Sequence, residues 1–266
     1  GHGTMIAGIV AAIDNTEGVI GVGPQIWLYA VRFRETLVMI PQTGSIVDLC
    51  EGMEWCITNN MQVINMSFSV WSVKYDEQGN PVKDKPLHDP TFYSLIQQAY
   101  AAGIVQVAAV TNDSSWVDES PIPPPGDTSP YRYPASYPEV MGVSATGKHG
   151  KNDYFASFSN YGPVVDLAAP GASIYTTNMG GGYATASGTS LSCPHVVGTA
   201  ALVLKQFGPQ SPEQVRTRLK DTAEWLANLT AEQQGAGLVD AENAVLGGSL
   251  APSLHRVSPA GKLSVT

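Results

Sequence analysis

The sequence predicts an α/β fold in which a mostly parallel, twisted sheet is covered by helices on both faces, giving three layers. Three observations support this fold class. The chain has 266 residues and is 43% hydrophobic, which is enough for a sizeable core. Segments with apolar residues at helical spacing recur along it. Short apolar runs alternate with these segments, as expected for strands buried in a parallel sheet.

The predicted elements follow one another in a regular order. Apolar residues at helical spacing predict helices in the segments 5–13, 45–60 and 91–103, and in the segment that begins at Ser190. Two further helices close the chain, one capped by Ser211 and a short one over 240–246. The apolar runs predict strands at 26–33, 62–70, 104–110, 139–145 and 164–170.

Two segments interrupt this alternation, and we expect them to be loop insertions in a single domain spanning 1–266. Residues 71–90 are polar and turn-rich, and residues 113–134 are rich in Pro, Ser and Asp. Each follows the carboxyl end of a predicted strand, which is the edge where open α/β sheets bind their ligands. They are therefore either loops at the rim of a binding crevice or tolerated surface insertions.

Composition argues against several classes of function. The net charge of −9 argues against a nucleic-acid partner, which would need a basic surface. No apolar run is long enough to span a bilayer, so we expect no membrane partner. The three cysteines, Cys50, Cys56 and Cys193, give no disulfide framework.

Three short stretches carry residues suited to hydrolytic chemistry. "GHGTMIAG" places His2 at the start of a helix, "VAAVTND" places Asn112 after a strand, and "SGTSLSC" places Ser190 at the start of another helix. A hydrolase needs a general base, an oxyanion donor and a nucleophile, and these side chains can supply all three. Each alone has an ordinary structural explanation, because Ser and Thr cap helices and Asn is common in turns.

Together these stretches resemble the subtilisin-like serine proteases, the subtilases. "GHGTMIAGIVAA" is similar to the family's histidine motif, and "SGTSLSCPHVVGTAAL" to its serine motif, in which Met usually follows the serine. "YPASYPEVMGVSA" and "GAGLVDAENAV" resemble further family segments in the same order. The resemblance implies a secreted serine endopeptidase that acts on polypeptides and needs no cofactor for its chemistry. We also expect it to be a monomer.

The resemblance assigns catalytic roles to three residues. Ser190 is implied to be the nucleophile, and His2 the general base that takes its proton. The side-chain amide of Asn112, with the backbone N–H of Ser190, is implied to bind the oxyanion.

The resemblance also places an extended peptide substrate between two strand edges. One edge is the segment around Gly44. The other is formed by Ser67, Phe68 and Ser69, which with Ala109 also line the pocket for the residue before the cleaved bond.

Arg132, in "YRYPASYP", aligns with the floor of that pocket. A guanidinium there would pair with a carboxylate of the substrate and favour an acidic residue. The alternative is that Arg132 turns outward or pairs with an acid of the chain, such as Asp127.

"AIDNTEGVIGV" resembles the family's calcium loop. The ligands of a structural calcium ion would be the carbonyl oxygens of Ile13, Glu17 and Val19 and the side chain of Asn15. The alternative is a polar turn without a metal.

The family triad also contains an aspartate that orients the histidine, and no aspartate of this sequence stands in a matching motif. The resemblance places it upstream of His2, on a strand between those that match 26–33 and 63–68. We therefore expect an N-terminally truncated sequence whose fragment is inactive by itself. Loss of that strand should leave a hole in the sheet or force its two neighbours together.

Two other classes of function are alternatives to the protease. A catalytically inactive relative that binds peptides is the main alternative, but it would not need His2, Asn112 and Ser190 together. A lipase-type hydrolase is excluded, because its nucleophile elbow requires G-x-S-x-G and "GTSLS" lacks the second glycine.

Overall fold

The structure is a computed structural model that describes residues 1–32, 46–78, 81–120 and 131–246. Its helices are α1 His2–Ala11, α2 Ile46–Thr58, α3 Pro90–Ala101, α4 Thr189–Phe207, α5 Pro212–Asp221, α6 Ala231–Gln234 and α7 Ala241–Leu246. Its strands are β1 Val63–Met66, β2 Trp71–Tyr75, β3 Pro81–Pro86, β4 Val105–Ala109, β5 Met141–His149, β6 Asn152–Phe155, β7 Leu167–Pro170, β8 Ile174–Thr177 and β9 Tyr183–Ala186.

The main sheet is mostly parallel, as the sequence predicts. Strand β1 pairs with β4, β4 with β5 and β5 with β7, all in parallel register, whereas β6 pairs with β5 in antiparallel register. Within the described residues, β1 is an edge strand of this sheet. The carboxyl ends of the parallel strands therefore meet at one edge, where α/β proteins carry their sites.

Strand β4 shows why helices lie on both faces of the sheet. Its side chains alternate, because successive residues of a strand point to opposite faces. Val105, Val107 and Ala109 pack with α4 in one core cluster. Ala108 and the flanking Val110 pack with α2 and α3 in the other. The three-layer α/β fold is confirmed.

The predicted strand 26–33 is wrong over the residues that the structure describes. Residues 26–32 form no strand there, and Trp27 is 90% exposed. A cleft of about 2350 Å³ lies between this segment and β1. An apolar run becomes a strand only when a neighbour accepts its hydrogen bonds, and no described residue supplies that neighbour.

The segment 71–90 is not simply a loop, and that expectation is corrected as well. Strands β2 and β3 pair in antiparallel register as a hairpin, with Trp71 opposite Pro86. Polar composition concealed it, because a hairpin outside the core needs no run of apolar residues. In the second insertion, Trp116 bridges to Tyr161, and residues 121–130 lie outside the described part.

Candidate active site

Helix α1 places His2 at its first position, beside the cleft. Two hydroxyls from β8 hold this helix: Thr176 donates to the carbonyl of Met5 at 2.9 Å, and Thr177 donates to that of Thr4 at 2.7 Å. A Cβ at Gly8 would lie 2.2 Å from the Thr177 hydroxyl oxygen. The glycine therefore allows the close approach that fixes the helix.

Ser190 is the second residue of α4, and Gly188 is its N-cap. The backbone N–H groups of the first turn have no acceptor within a helix, so the N–H of Ser190 is available to a ligand. This placement is the one an oxyanion site requires, since donors must be fixed before charge develops.

Pro194 removes a backbone hydrogen bond to Ser190, the predicted nucleophile, in the first turns of α4. A residue at this position would normally donate its N–H to the carbonyl of Ser190, four residues earlier, and proline has none. The hydroxyl of Ser67 donates to that carbonyl instead, at 2.8 Å. In return, the hydroxyl of Ser190 donates to the carbonyl of Ser67 at 3.4 Å. The end of β1 is therefore attached to the turn that carries Ser190.

The side chain of Asn112 bridges the loop after β4 to the start of α4. Its Oδ1 accepts hydrogen bonds from the Thr189 backbone N–H at 2.8 Å and from the Thr189 hydroxyl at 3.0 Å. Because both donors engage the oxygen, the Nδ2 group is left to donate elsewhere. The Nδ2 atom lies 3.6 Å from the position that a Cβ of Gly188 would take, which is an ordinary van der Waals distance.

One cleft brings most of the predicted site residues together. Those that line it are His2, Ser67, Phe68, Ser69, Ala109, Asn112 and Ser190. Gly44 lies outside the described residues. Arg132 is not among the lining residues, so the substrate role assigned to it stays a prediction.

Arg132 is 9% exposed and faces the acid next to Asn112. Its Nε donates to Asp113 Oδ2 at 3.0 Å, and its guanidinium lies 4.9 Å from the ring centroid of Trp71. The expected alternative, a pair with an acid of the chain, is the arrangement seen, although the acid is Asp113. Burial raises the pKa of Asp113, but hydrogen bonds from Thr111, Arg132 and Asn160 lower it further, so it lies below its ordinary value.

Two other residues of the serine motif are packed away from the reaction. Cys193 is fully buried in the core, and burial raises the pKa of its thiol to about 12. Burial lowers the pKa of His195, whose Nδ1 lies 2.9 Å from the carbonyl of Leu191 in the same helix. At neutral pH the thiol is therefore not a thiolate nucleophile, and the imidazole accepts a proton less readily than an ordinary histidine does.

The loop that resembles a calcium loop is closed at its neck, where the N–H of Gly21 donates to the carbonyl of Ala12 at 2.9 Å. Asn15 Oδ1 accepts from the N–H of Glu17. Among the described residues, no backbone hydrogen bond ends on the carbonyls of Ile13, Glu17 and Val19. Carbonyl oxygens in a closed loop that accept no backbone hydrogen bond are ligands of the kind that a calcium ion takes.

Sequence reasoning missed two residues that shape the site. Thr189 lies within the quoted serine motif, and that position could have suggested its two hydrogen bonds to Asn112. Asn160, which holds the loop around Asn112, lies 48 positions beyond that residue, and no local pattern signals its role.

Comparisons with known proteins agree with this geometry. The model of the Subtilase family, Peptidase_S8, matches residues 1–241. Subtilisin DY of Bacillus licheniformis is 37% identical over 244 residues, which are 92% of this chain and 77% of that protein. Subtilisin NAT of Bacillus subtilis subsp. natto is 37% identical over 91% of this chain and 55% of that protein. The chain thus spans about half the length of several curated relatives it matches.

Solved structures give the same result. Fervidolysin from Fervidobacterium pennivorans, a keratinolytic enzyme related to subtilisin, superposes with a TM-score of 0.75 at 25% identity over 94% of this chain and 36% of that one. A protease from Pseudoalteromonas arctica superposes with a TM-score of 0.73 at 27% identity over 92% of this chain and 70% of that one. No helix in the described ranges is long and apolar enough to cross a membrane. By sequence and by fold, the chain belongs to the subtilase family.

Proposed function

We propose that this chain is the catalytic part of a serine endopeptidase. The observation that carries the proposal is that His2, Asn112 and Ser190, from three separate elements, line one cleft. A hydroxyl at a helix N-terminus, an oriented amide and an imidazole are the parts of an acyl-transfer site. Membership of the subtilase family supports the same reaction.

In this mechanism Ser190 attacks the peptide carbonyl while His2 takes the proton from its hydroxyl. The amide of Asn112 and the N–H of Ser190 donate to the oxyanion of the tetrahedral intermediate. His2 then gives the proton to the leaving amine. In the second half of the reaction, water attacks the acyl-enzyme while His2 takes its proton, and His2 returns that proton to the oxygen of Ser190.

The aspartate of the triad is proposed to come from a strand that fills the cleft beside β1. The cleft is lined on one side by the segment 25–32 and on the other by residues 59–65. A parallel strand seated there would pair with β1 and with the segment 26–32, which would then become the strand that its sequence predicts. Its carboxyl end would lie at the same edge of the sheet as His2.

The substrate is proposed to be an extended polypeptide that lies along Ser67, Phe68 and Ser69. These residues follow the carboxyl end of β1 and line the cleft, with Ala109 on the neighbouring strand. Main-chain pairing of this kind binds many sequences, so it suits an enzyme that acts on varied proteins. As the relatives are subtilisins, we propose that the protein acts outside the cytoplasm, as a monomer.

A preference for acidic residues before the cleaved bond remains a proposal for Arg132. Its ion pair with Asp113 leaves less of the guanidinium for a substrate carboxylate. Peptides that vary only at that position, cleaved by wild type and by Arg132→Gly, measure the preference. If Glu and Asp are cleaved no better than Phe and Leu, Arg132 does not set specificity.

A structural calcium ion in the loop of Ile13, Asn15, Glu17 and Val19 is also part of the proposal. It would stabilise the loop that follows α1 and take no part in the chemistry. A melting temperature that a chelator lowers in wild type, but not in Asn15→Ala, supports the site. A melting temperature that ignores the chelator contradicts it.

The experiment that tests the function is active-site labelling of the intact gene product with a fluorophosphonate. Wild type should be labelled on Ser190 and should cleave peptides, and Ser190→Ala should do neither. Labelling that persists in Ser190→Ala overturns the assignment of the nucleophile. A protein that is not labelled, yet binds peptides along Ser67–Ser69, is instead an inactive peptide-binding module.

A further inference from the structure

The loop that carries Asn112 has a backbone that needs outside support. Thr111, immediately before it, has a φ of 71°, and Ser114 has a φ of 54°. A β-branched residue is strained in this left-handed region, by about 1–3 kcal/mol for a residue in a sparsely populated conformation. Such a conformation persists only where surrounding contacts determine it.

Asn160 supplies those contacts from the far side of the loop. Its Nδ2 donates to the carbonyl of Val110 at 2.8 Å and to the hydroxyl of Thr111 at 2.7 Å. Its Oδ1 accepts from the backbone N–H of Asp113 at 3.0 Å and of Ser115 at 2.9 Å. The four partners lie on both sides of Asn112 in the sequence.

The backbone of Asn160 adds a further bond, since its N–H donates to the carbonyl of Thr111 at 3.1 Å. The side chain is fully buried, with 0% exposure, and both its donors and its acceptor oxygen are used. Only an amide has two donors and two acceptor positions on one planar group. An aspartate of the same shape would lose the donors and bring a second carboxylate close to Asp113.

We propose that Asn160 is a positioning residue that holds Asn112 where its amide reaches the oxyanion; this rests on the proposed function. Asn160 is not among the residues that line the cleft, so it acts through the loop. The amide of Asn112 can bond to Thr189 only while the loop stays at its present distance from α4. Loosening the loop removes a donor that must be fixed before the transition state forms.

The test is a comparison of kcat and KM for Asn160→Ala and Asn160→Ser in the intact gene product, each alone and combined with Asn112→Ala. Loss of an oxyanion donor lowers kcat by about 10²–10³, so loosening it should lower kcat by about 10–10² with KM nearly unchanged. In the Asn112→Ala background, where no amide remains to be positioned, the same substitutions should change kcat by less than about threefold.

Gln234 provides a matched control. It is another fully buried amide, and it bonds to the backbone of Leu226 and Leu229 away from the cleft. Gln234→Ala should lower the melting temperature about as much as Asn160→Ala but leave kcat of the folded enzyme unchanged. Fluorophosphonate titration counts the active sites, so that kcat refers to folded molecules, and Asn160→Ser serves if the alanine variant does not fold.

The outcomes separate this inference from the proposed function. If Ser190→Ala abolishes activity while both Asn160 variants keep the wild-type kcat, the positioning role is overturned and the protease stands. If the Asn160 variants lose kcat equally with and without Asn112, the role is overturned as well, because the effect does not pass through that amide. If Ser190→Ala retains activity, the proposed function itself has failed.

Discussion

The two walls of the cleft are completed to different degrees. On the wall that carries Ser190, Thr189 is bonded to Asn112, and Ser67 exchanges hydrogen bonds with Ser190. On the opposite wall, Trp27 is 90% exposed, Leu28 48% and Tyr29 55%. Large apolar side chains in a row at such exposures indicate a surface made to be covered.

The difference shows which contacts each wall depends on. The described contacts of Ser190 and Asn112 come from α4, from the end of β1 and from the loop after β4, which Asn160 holds in turn. The segment 25–32 lies across the open cleft from β1, and the strand proposed to lie between them would cover it. The proposed nucleophile and oxyanion donor are therefore held by contacts that do not involve the segment 25–32.

The largest expected effect comes from the two residues proposed to carry the reaction beside the Ser190 wall. Ser190→Ala and His2→Ala should each lower kcat in the intact gene product by about 10⁶, a magnitude known for the relative subtilisin. Ser187→Ala is the control, because its hydroxyl accepts from the N–H of Ser173 and neither residue is among those that line the cleft. Steady-state peptide hydrolysis measures all three. Near-normal activity in His2→Ala would contradict the role of His2 as general base.

A second prediction compares the stability of the walls with a matched pair of leucines. Leu167 in β7 is 0% exposed, and Leu167→Ala should lower the free energy of unfolding by about 2–5 kcal/mol. Leu28 is 48% exposed and lines the cleft, so Leu28→Ala should cost less than about 0.5 kcal/mol in this chain. Denaturant unfolding measures both.

The same pair tests the strand proposed for the cleft. In the intact gene product a strand would bury Leu28, and the cost of Leu28→Ala should rise toward that of Leu167→Ala. If Leu28→Ala remains without cost there, no strand covers this wall.

A third prediction concerns the link between the end of β1 and the nucleophile. Ser67→Ala should lower the free energy of unfolding by about 1 kcal/mol, because the carbonyl of Ser190 loses its donor. Pro194→Ala restores a backbone N–H at the position that normally serves this carbonyl. It should therefore recover stability in the Ser67→Ala background more than in wild type. Equal effects in the two backgrounds would mean that Ser67 does not replace the missing N–H.

The sequence predicted the elements whose partners lie within it. The apolar runs at 104–110 and 139–145 and the helix from Ser190 are present, because each is packed on both sides by other parts of this chain. The run at 26–33 is also largely apolar, but a strand is defined by its neighbour, and composition does not reveal whether the neighbour is there.

The site residues also fall into two groups, those that a local sequence pattern signals and those whose role depends on a distant contact. Motifs predicted His2, Asn112 and Ser190 as site residues, because each lies in a stretch of several characteristic residues, and the three line one cleft. Asn160 could not be located, since its role depends on a contact with residues 110–115 that only the fold brings about. Arg132 was placed near the substrate pocket by alignment, but its partner depends on the loop conformation after Asn112.

The smallest expected effect is the pH dependence of the stability that the ion pair of Asp113 adds to the Ser190 wall. The carboxylate accepts from Thr111, Arg132 and Asn160, and these bonds outweigh burial and lower its pKa. A carboxyl whose pKa falls on folding stabilises the protein above its unfolded pKa, and the contribution is lost as the pH falls through the folded pKa. The side chain is 43% exposed, so solvent screens the pair and the contribution is modest.

Comparison of wild type with Asp113→Asn from pH 7 to pH 2 tests this contribution. The difference in unfolding free energy should be constant near neutral pH and shrink below about pH 4, where the unfolded carboxyl begins to take up protons. Asp221→Asn, at the end of α5, is the control for a general effect of acid. A difference that persists unchanged to pH 2 would show that Asp113 supports the loop through its shape and hydrogen bonds, and that its charge adds nothing to the wall that holds Asn112.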